Sequence, residues 1–315
     1  MLNDEHTTSR NTAMASVNRA SAAPADILLD MPACLRTSLP RSNGPLLSMK
    51  VIGGFELWLD DMRVENLPRG KTRSLLKLLL LRRHGPLSRT RLCNLYWPEA
   101  DAGSARNSLH VTLHRVRRAL DPAGVIVHQD EGYQFLPNGP VWIDSEQFLQ
   151  RSDMGALLDA RGKHVEAIAH YEASLVLHGL DQIDEDSQDA ALSGLAQQLR
   201  DRHNQVLQRL AELHEAAGDL HACLRTALRH LSLDACNEAA HGRLMRCYAA
   251  LGQPQLAERQ YRTCVRVLRE TLGVAPQEVT TRLYRLLTSR EVSAADIHAN
   301  GATARPAWHA LHPSP

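Results

Sequence analysis

Residues 106–120 place side chains able to read DNA bases on one side of an expected helix. At 100° per residue, amide, imidazole, guanidinium and small apolar groups share this face, with no acid among them: Asn107, Val111, His114, Arg115 and Arg118. Arginine can pair with guanine and asparagine with adenine, and valine can meet a thymine methyl. The flanking Arg106 and Arg117 can hold phosphates. The stretch therefore predicts a helix that reads the major groove of double-stranded DNA.

A solvated amphipathic helix is the simpler alternative, because many surface helices carry arginines near their C-terminus, where the helix dipole favours them. The distribution of charge favours DNA. Residues 69–118 contain twelve lysines and arginines against two acids, whereas residues 152–290 contain sixteen against eighteen, and the whole chain has a net charge of only +1. A local basic excess beside a neutral region is typical of a nucleic-acid-binding module joined to another domain.

No catalytic, metal or cofactor site is expected from the sequence. His110 and His114 have the spacing of two zinc ligands on a helix, but no glutamate follows His110 and no third ligand lies nearby. The acids within residues 181–189 lack the central glycine of a calcium loop and indicate a solvated linker. No nucleophile motif such as GxSxG is present. We therefore expect that the protein is not an enzyme.

The reading face needs elements that hold it in place. Its opposite side is an apolar stripe that must pack on a core: Ala105, Leu109, Leu113, Val116 and Leu120. Short antiparallel strands are predicted over residues 51–64, helices over 71–84 and 88–97, and a hairpin around Asp130-Glu131-Gly132. This order of sheet, three helices and hairpin predicts a winged helix, with 106–120 as the recognition helix and the hairpin as the wing.

The C-terminal half shows a helical repeat. Gly218 and Gly252 lie 34 residues apart, each between two amphipathic helices, and an earlier copy surrounds Gly162. This is the period of tetratricopeptide (TPR) repeats, which stack into a superhelix whose concave side binds peptides or partner domains. A plain helical domain with coincidental spacing is the alternative.

Both halves resemble one known family. GGFELWLDDMRVE, KTRSLLKLLLLRRHGPLSRTRLCNLYWPEADAGSARNSLHVTLHRVRRAL and EGYQF are similar to the OmpR/PhoB-like winged helix of SARP-type (antibiotic regulatory protein) transcriptional activators. NEAAHGRLMRCYAALGQPQLAERQYRTCVRVLRETLGVAPQEVTTRLY resembles the bacterial transcriptional activation domain that follows it in that family. The resemblance implies an activator in which the loop from Trp97 to Ala102 faces RNA polymerase.

Together these observations predict a mainly α-helical fold with a small β component. We expect a disordered tail (1–48), a winged-helix DNA-binding domain (49–145), a TPR-like transcriptional activation domain (146–290) and a second disordered tail (291–315). No targeting or membrane segment is apparent, so a cytoplasmic protein is expected. The repeats would receive a signal from a protein or ligand partner. The alternative function is that of a TPR-type adaptor whose winged helix mediates protein contacts.

Overall fold

The computed structural model describes residues 45–177 and 191–289 of the 315-residue chain. The acidic 181–189 stretch, residues 1–44 of the first predicted tail and all of the second lie outside the described residues. Within the described ranges a winged helix is followed by successive pairs of helices. The expected fold class, mainly α-helical with a small β component, is confirmed.

A four-stranded sheet opens the winged helix. Its strands, in spatial order, are β3 (Met62–Arg63), β2 (Glu56–Leu59), β1 (Leu47–Lys50) and β7 (Val141–Ile143). The first three pair antiparallel as predicted, although β1 lies before the predicted range of residues 51–64. β7 returns parallel to β1, with Leu47 opposite Val141. β1 begins at Leu47, within the range expected to be tail. Leu47 and Met49 belong to the domain because they are buried in the core of the winged helix.

Three helices and a second, three-stranded sheet complete the winged helix. The elements are α1 (Gly70–Leu81), β4 (Leu87–Ser88), α2 (Arg89–Tyr96), α3 (Ala102–Leu120), β5 (Gly124–Gln129) and β6 (Gly132–Pro137). β5 and β6 form the predicted hairpin. Its two turn residues, Asp130 and Glu131, have φ values of 49° and 61°, the left-handed backbone that a tight two-residue hairpin needs. The strand β4, which the sequence did not reveal, pairs Leu87 with Tyr133 and attaches the start of α2 to this hairpin.

The C-terminal half consists of helices α4 (Asp144–Ala160), α5 (His164–Val176), α6 (Ser193–Ala217), α7 (Leu220–Leu233), α8 (Glu238–Ala250), α9 (Pro254–Leu272) and α10 (Glu278–Ser289). Gly162, Gly218 and Gly252 occupy the three tight turns within the pairs, with φ values of 72°, 77° and 71°. A side chain would be strained in that conformation, so the recurring glycine has a structural reason. Buried small residues, such as Ala222 and Ala257, let neighbouring helices approach each other.

The joint between the two halves has no linker, because α4 begins directly after β7. Asp144, the first residue of α4, is buried, and its carboxylate accepts hydrogen bonds from three backbone N–H groups. The donors are Val51 at 3.0 Å and Ile52 at 3.0 Å, just after β1, and Ser145 at 2.7 Å. One side chain therefore ties the start of the helical half to the end of the first strand.

Two further contacts strengthen this joint. A small apolar cluster combines a residue after β1 with residues of α4 and α6: Ile52, Phe148 and Leu199. Arg83, just after α1, donates two hydrogen bonds to the Glu146 carboxylate, at 2.6 and 2.8 Å. The Arg83 side chain is only 10% exposed, so this bidentate pair is better shielded from water than an ordinary surface ion pair.

Candidate nucleic-acid interface

The candidate interface is centred on α3, which begins at Ala102, four residues before the start that the sequence suggested. The Asp101 carboxylate caps the helix by accepting hydrogen bonds from the N–H groups of Gly103 at 2.9 Å and Ser104 at 3.1 Å. Hydrogen bonds from Ser104 and Gly103 hold the pKa of Asp101 below its usual range. An ionised cap also interacts favourably with the helix dipole, so Asp101 fixes the first turn of α3.

The inward face of α3 matches the apolar stripe read from the sequence. All five of its residues are at most 3% exposed: Ala105, Leu109, Leu113, Val116 and Leu120. They pack in one cluster with leucines of α1 and α2 and with Phe135 of the hairpin. Because this cluster fixes the rotation of α3 about its axis, the opposite face must point to solvent.

The outward face carries all the residues that the sequence singled out. Each of them is exposed: Arg106, Asn107, Val111, His114, Arg115, Arg117 and Arg118. Val111 is 54% exposed and lies in the middle of this basic surface. Its apolar side chain makes no favourable interaction with the water there. Residues 102–120 contain no acid, so every charged side chain that α3 contributes to this face is positive.

Two side chains of α3 contact the hairpin. The Arg117 guanidinium donates a hydrogen bond to the backbone carbonyl of Ile126 in β5, at 3.2 Å. His110, which has the spacing of a zinc ligand from His114 but lacks the other ligands, has its Nε2 3.3 Å from the hydroxyl of Tyr133 in β6. Within the described residues there is no cluster of three side chains that could hold a metal ion. α3 and the hairpin are therefore connected by side-chain contacts.

The tip of the wing is acidic, a feature whose consequence the sequence reasoning missed. Asp130 and Glu131 are exposed there, and both lie outside the basic surface of α3. Carboxylates repel DNA phosphates, so the two turn residues oppose a close approach of the tip to the duplex. The sequence signal was the acidic pair itself, which was used only to predict the turn.

The loop from Trp97 to Asp101 is anchored at its beginning and exposed afterwards. The Lys71 ammonium lies 5.4 Å from the centre of the Trp97 ring and also donates to the carbonyl of Tyr96. Pro98, Glu99 and Ala100 are exposed. The loop thus offers a surface with two acids immediately before the basic helix.

Two family models match the chain in succession. Residues 67–135 match the model described as "Transcriptional regulatory protein, C terminal", and residues 143–287 match the one described as "Bacterial transcriptional activator domain". The first range contains α1 to α3 and most of the hairpin, and the second begins at the last residue of β7. The chain has the domain architecture of SARP-type transcriptional regulators. The resemblance inferred from the sequence is confirmed.

Relatives of this SARP-type regulator are similar over most of their length. The transcriptional regulatory protein MoaR1 of Mycobacterium tuberculosis is 25% identical over 245 residues, which cover 76% of this chain and 78% of MoaR1. MoaR1 of Mycobacterium bovis gives the same values. Among solved structures, Mycobacterium tuberculosis EmbR superimposes with a TM-score of 0.65 at 21% identity, over 81% of this chain and 68% of EmbR. The likeness to EmbR supports the fold.

The matched families and relatives are transcriptional regulators and not enzymes, so the SARP-type regulator is assigned to transcription regulation. Among the described residues, none of the helices has both the length and the apolar character needed to span a membrane.

Proposed function

We propose that this SARP-type regulator is an activator that binds specific sequences of double-stranded DNA by inserting α3 into the major groove. The observation that carries the proposal is the division of α3 into two faces. One face is buried in the core of the winged helix, and the other is exposed, basic and free of acids. An ordinary solvated helix has no need to keep its whole outward face free of carboxylates.

The residues of the exposed face divide into base-reading and positioning groups. Arg115 and Arg118 have the donors for guanine, Asn107 has the donor and acceptor for adenine, and Val111 offers an apolar contact to a thymine methyl. His114 lies between them and adds an imidazole.

Arg106 and Arg117 lie at the sides of this face and hold phosphates. Arg117 is positioned for that role by its hydrogen bond to Ile126 of the wing. The guanidinium keeps further N–H donors for a phosphate oxygen, since arginine has five.

Activation requires a contact with RNA polymerase, which we assign to the exposed loop from Trp97 to Ala102. The loop is held at one end by the Lys71–Trp97 contact and at the other by the Asp101 cap, so its exposed middle has a defined shape. The helical half, residues 146–290, then receives a signal from a protein or ligand partner, and residues 49–145 bind DNA. A regulator that acts on chromosomal DNA works in the cytoplasm.

The adaptor function remains the second candidate, and binding of sheared genomic DNA by the full chain separates the two. We expect selective enrichment of a few fragments, with an affinity that falls steeply as salt rises, because several phosphates are neutralised. Arg115→Ala or Arg118→Ala is expected to weaken binding to an enriched fragment by about 1–3 kcal/mol.

A matched control is Arg225→Ala, which removes an exposed arginine from α7 in the helical half. It should leave the affinity for DNA unchanged. The assignment of α3 is wrong if the Arg115→Ala, Arg118→Ala double variant, with an unchanged melting temperature, binds the enriched fragments as tightly as the wild type. In that case the adaptor function becomes the better account.

A further inference from the structure

A cavity of about 460 Å³ lies between the end of α1, α2 and Ala191, two residues before α6. Five leucines form its apolar lining: Leu78, Leu81, Leu87, Leu92 and Leu95. Basic side chains line it as well: Arg82, His84 and Arg91. The volume lies within the range of small-molecule sites, and polar and apolar groups contribute about equally to the exposed lining.

The charges of this cavity are unbalanced. In the part of the chain that the structure describes, no acid lines it, and the side chains of Arg82, His84 and Arg91 form no ion pair. The neighbouring Arg83, by contrast, is engaged with Glu146 through two short hydrogen bonds. Two arginines thus present guanidinium groups beside an apolar surface, an arrangement that favours a ligand with both an anionic and an apolar part.

The cavity also lies where the two halves of the chain meet. Ala191, from the segment before α6, lines it, and both Ala191 and Leu192 pack against the core of the winged helix. Arg83, whose ion pair with Glu146 joins the end of α1 to α4, lies in sequence between the lining residues Arg82 and His84. A ligand in the cavity would therefore touch the winged helix and the helical half together.

We propose that this junction cavity binds a small organic anion with an apolar body. A carboxylate, sulfonate or phosphate group is held by Arg82 and Arg91, with His84 as a further hydrogen-bonding group, and the apolar body lies on the leucines. A DNA backbone would use the guanidinium groups alone and would leave the apolar lining uncovered. The inference does not depend on the proposed reading of DNA by α3.

The test uses the full chain and 1-anilinonaphthalene-8-sulfonate, a fluorescent aromatic sulfonate, as the probe. N-phenyl-1-naphthylamine, which has the same rings without the charge, is the matched neutral probe. We expect the sulfonate to bind at one site, and the Arg82→Ala, Arg91→Ala double variant to weaken it by about tenfold or more, because charge-assisted hydrogen bonds are lost. The neutral probe should bind more weakly and should be insensitive to the double variant.

A second variant tests the location without changing charge. A Cβ added at Gly85, which also lines the cavity, would meet no atom within 4 Å, so Gly85→Leu adds an apolar side chain at the lining without moving the backbone. It should reduce binding of the sulfonate probe while the melting temperature is retained. Arg225→Ala is the control, since Arg225 lines a different cavity of about 370 Å³ in the helical half.

Competitors identify the class of ligand. Decanoate should displace the sulfonate probe, whereas inorganic phosphate at the same concentration should not, because phosphate lacks the apolar body. The proposal is overturned if the double variant and Gly85→Leu bind the probe as the wild type does, or if Arg225→Ala is the variant that loses it. Displacement by sheared genomic DNA but not by decanoate would also overturn it and would assign the two arginines to the phosphate backbone.

Discussion

The buried carboxyl group of Asp144 predicts an unusual dependence of stability on pH. The side chain is at the joint between the halves, and the residue is 2% exposed. Burial raises the pKa of Asp144 to about 7, although hydrogen bonds from the N–H groups of Ile52, Val51 and Ser145 act in the opposite direction. Asp144→Asn removes the titration while keeping the shape of the side chain and one carbonyl oxygen as an acceptor.

The sign follows from where the proton is bound. Between about pH 4, the ordinary range of an aspartate in an unfolded chain, and pH 7, the folded protein holds a proton that the unfolded chain has released. Unfolding therefore releases a proton, and the free energy of unfolding falls as the pH rises. The slope is about 1.4 kcal/mol per pH unit, so the wild type loses about 4 kcal/mol across this window, and the loss is complete above pH 7.

Urea unfolding of the full chain between pH 4.5 and 8 measures this effect. We expect the stability of Asp144→Asn, relative to the wild type, to rise steadily across the window and then to level off. Asp153→Asn is the control, because it removes an exposed carboxylate from the same helix, and it should follow the wild type. Parallel curves for wild type and Asp144→Asn would refute the reasoning, since they would show that the three N–H groups outweigh burial and keep the folded carboxylate ionised.

Four other variants test the packing and the charges. Leu113→Ala, in the buried face of α3, should cost about 3–5 kcal/mol of stability in thermal unfolding, whereas the exposed Val111→Ala should change it by less than about 0.5 kcal/mol and weaken only DNA binding. Glu131→Gln should raise the affinity for DNA about twofold at low salt in a gel-shift assay, because a repulsive charge leaves the wing tip. Glu215→Gln should cost about 3–5 kcal/mol in urea unfolding, since Arg243 and Arg246 lose their shared carboxylate; unchanged stability would mean that water replaces it.

The faces of α3 could be predicted because a helix has a local period. Leu109, Leu113 and Val116 recur at helical spacing, so the sequence alone places them on one side and Arg115 on the other. The turn glycines were predictable for a similar reason, since Gly218 and Gly252 mark a repeat of fixed length. In both cases the signal lies within a few residues or within one repeated unit.

The joint could not be predicted because its contacts are distant in sequence. Nothing near Val141 shows that it will pair in parallel with Leu47, or that the carboxylate of Asp144 will reach the N–H group of Ile52, 92 residues away. An aspartate at the start of a helix is ordinarily an exposed cap, and only the fold buries this one. The charge asymmetry located the basic module, but local pattern carries no information on how the module is attached.

The position of the joint decides which variants can separate DNA binding from signal reception. Arg115 and Arg118 lie on the exposed face of α3, whereas Arg82, just after α1, and Arg91, on α2, line the junction cavity. Their side chains belong to different helices, and the core of the winged helix connects those helices. A substitution on α3 should therefore remove DNA binding without affecting the sulfonate probe. A substitution in the cavity should act on DNA binding only through the packing of the core, and so more weakly.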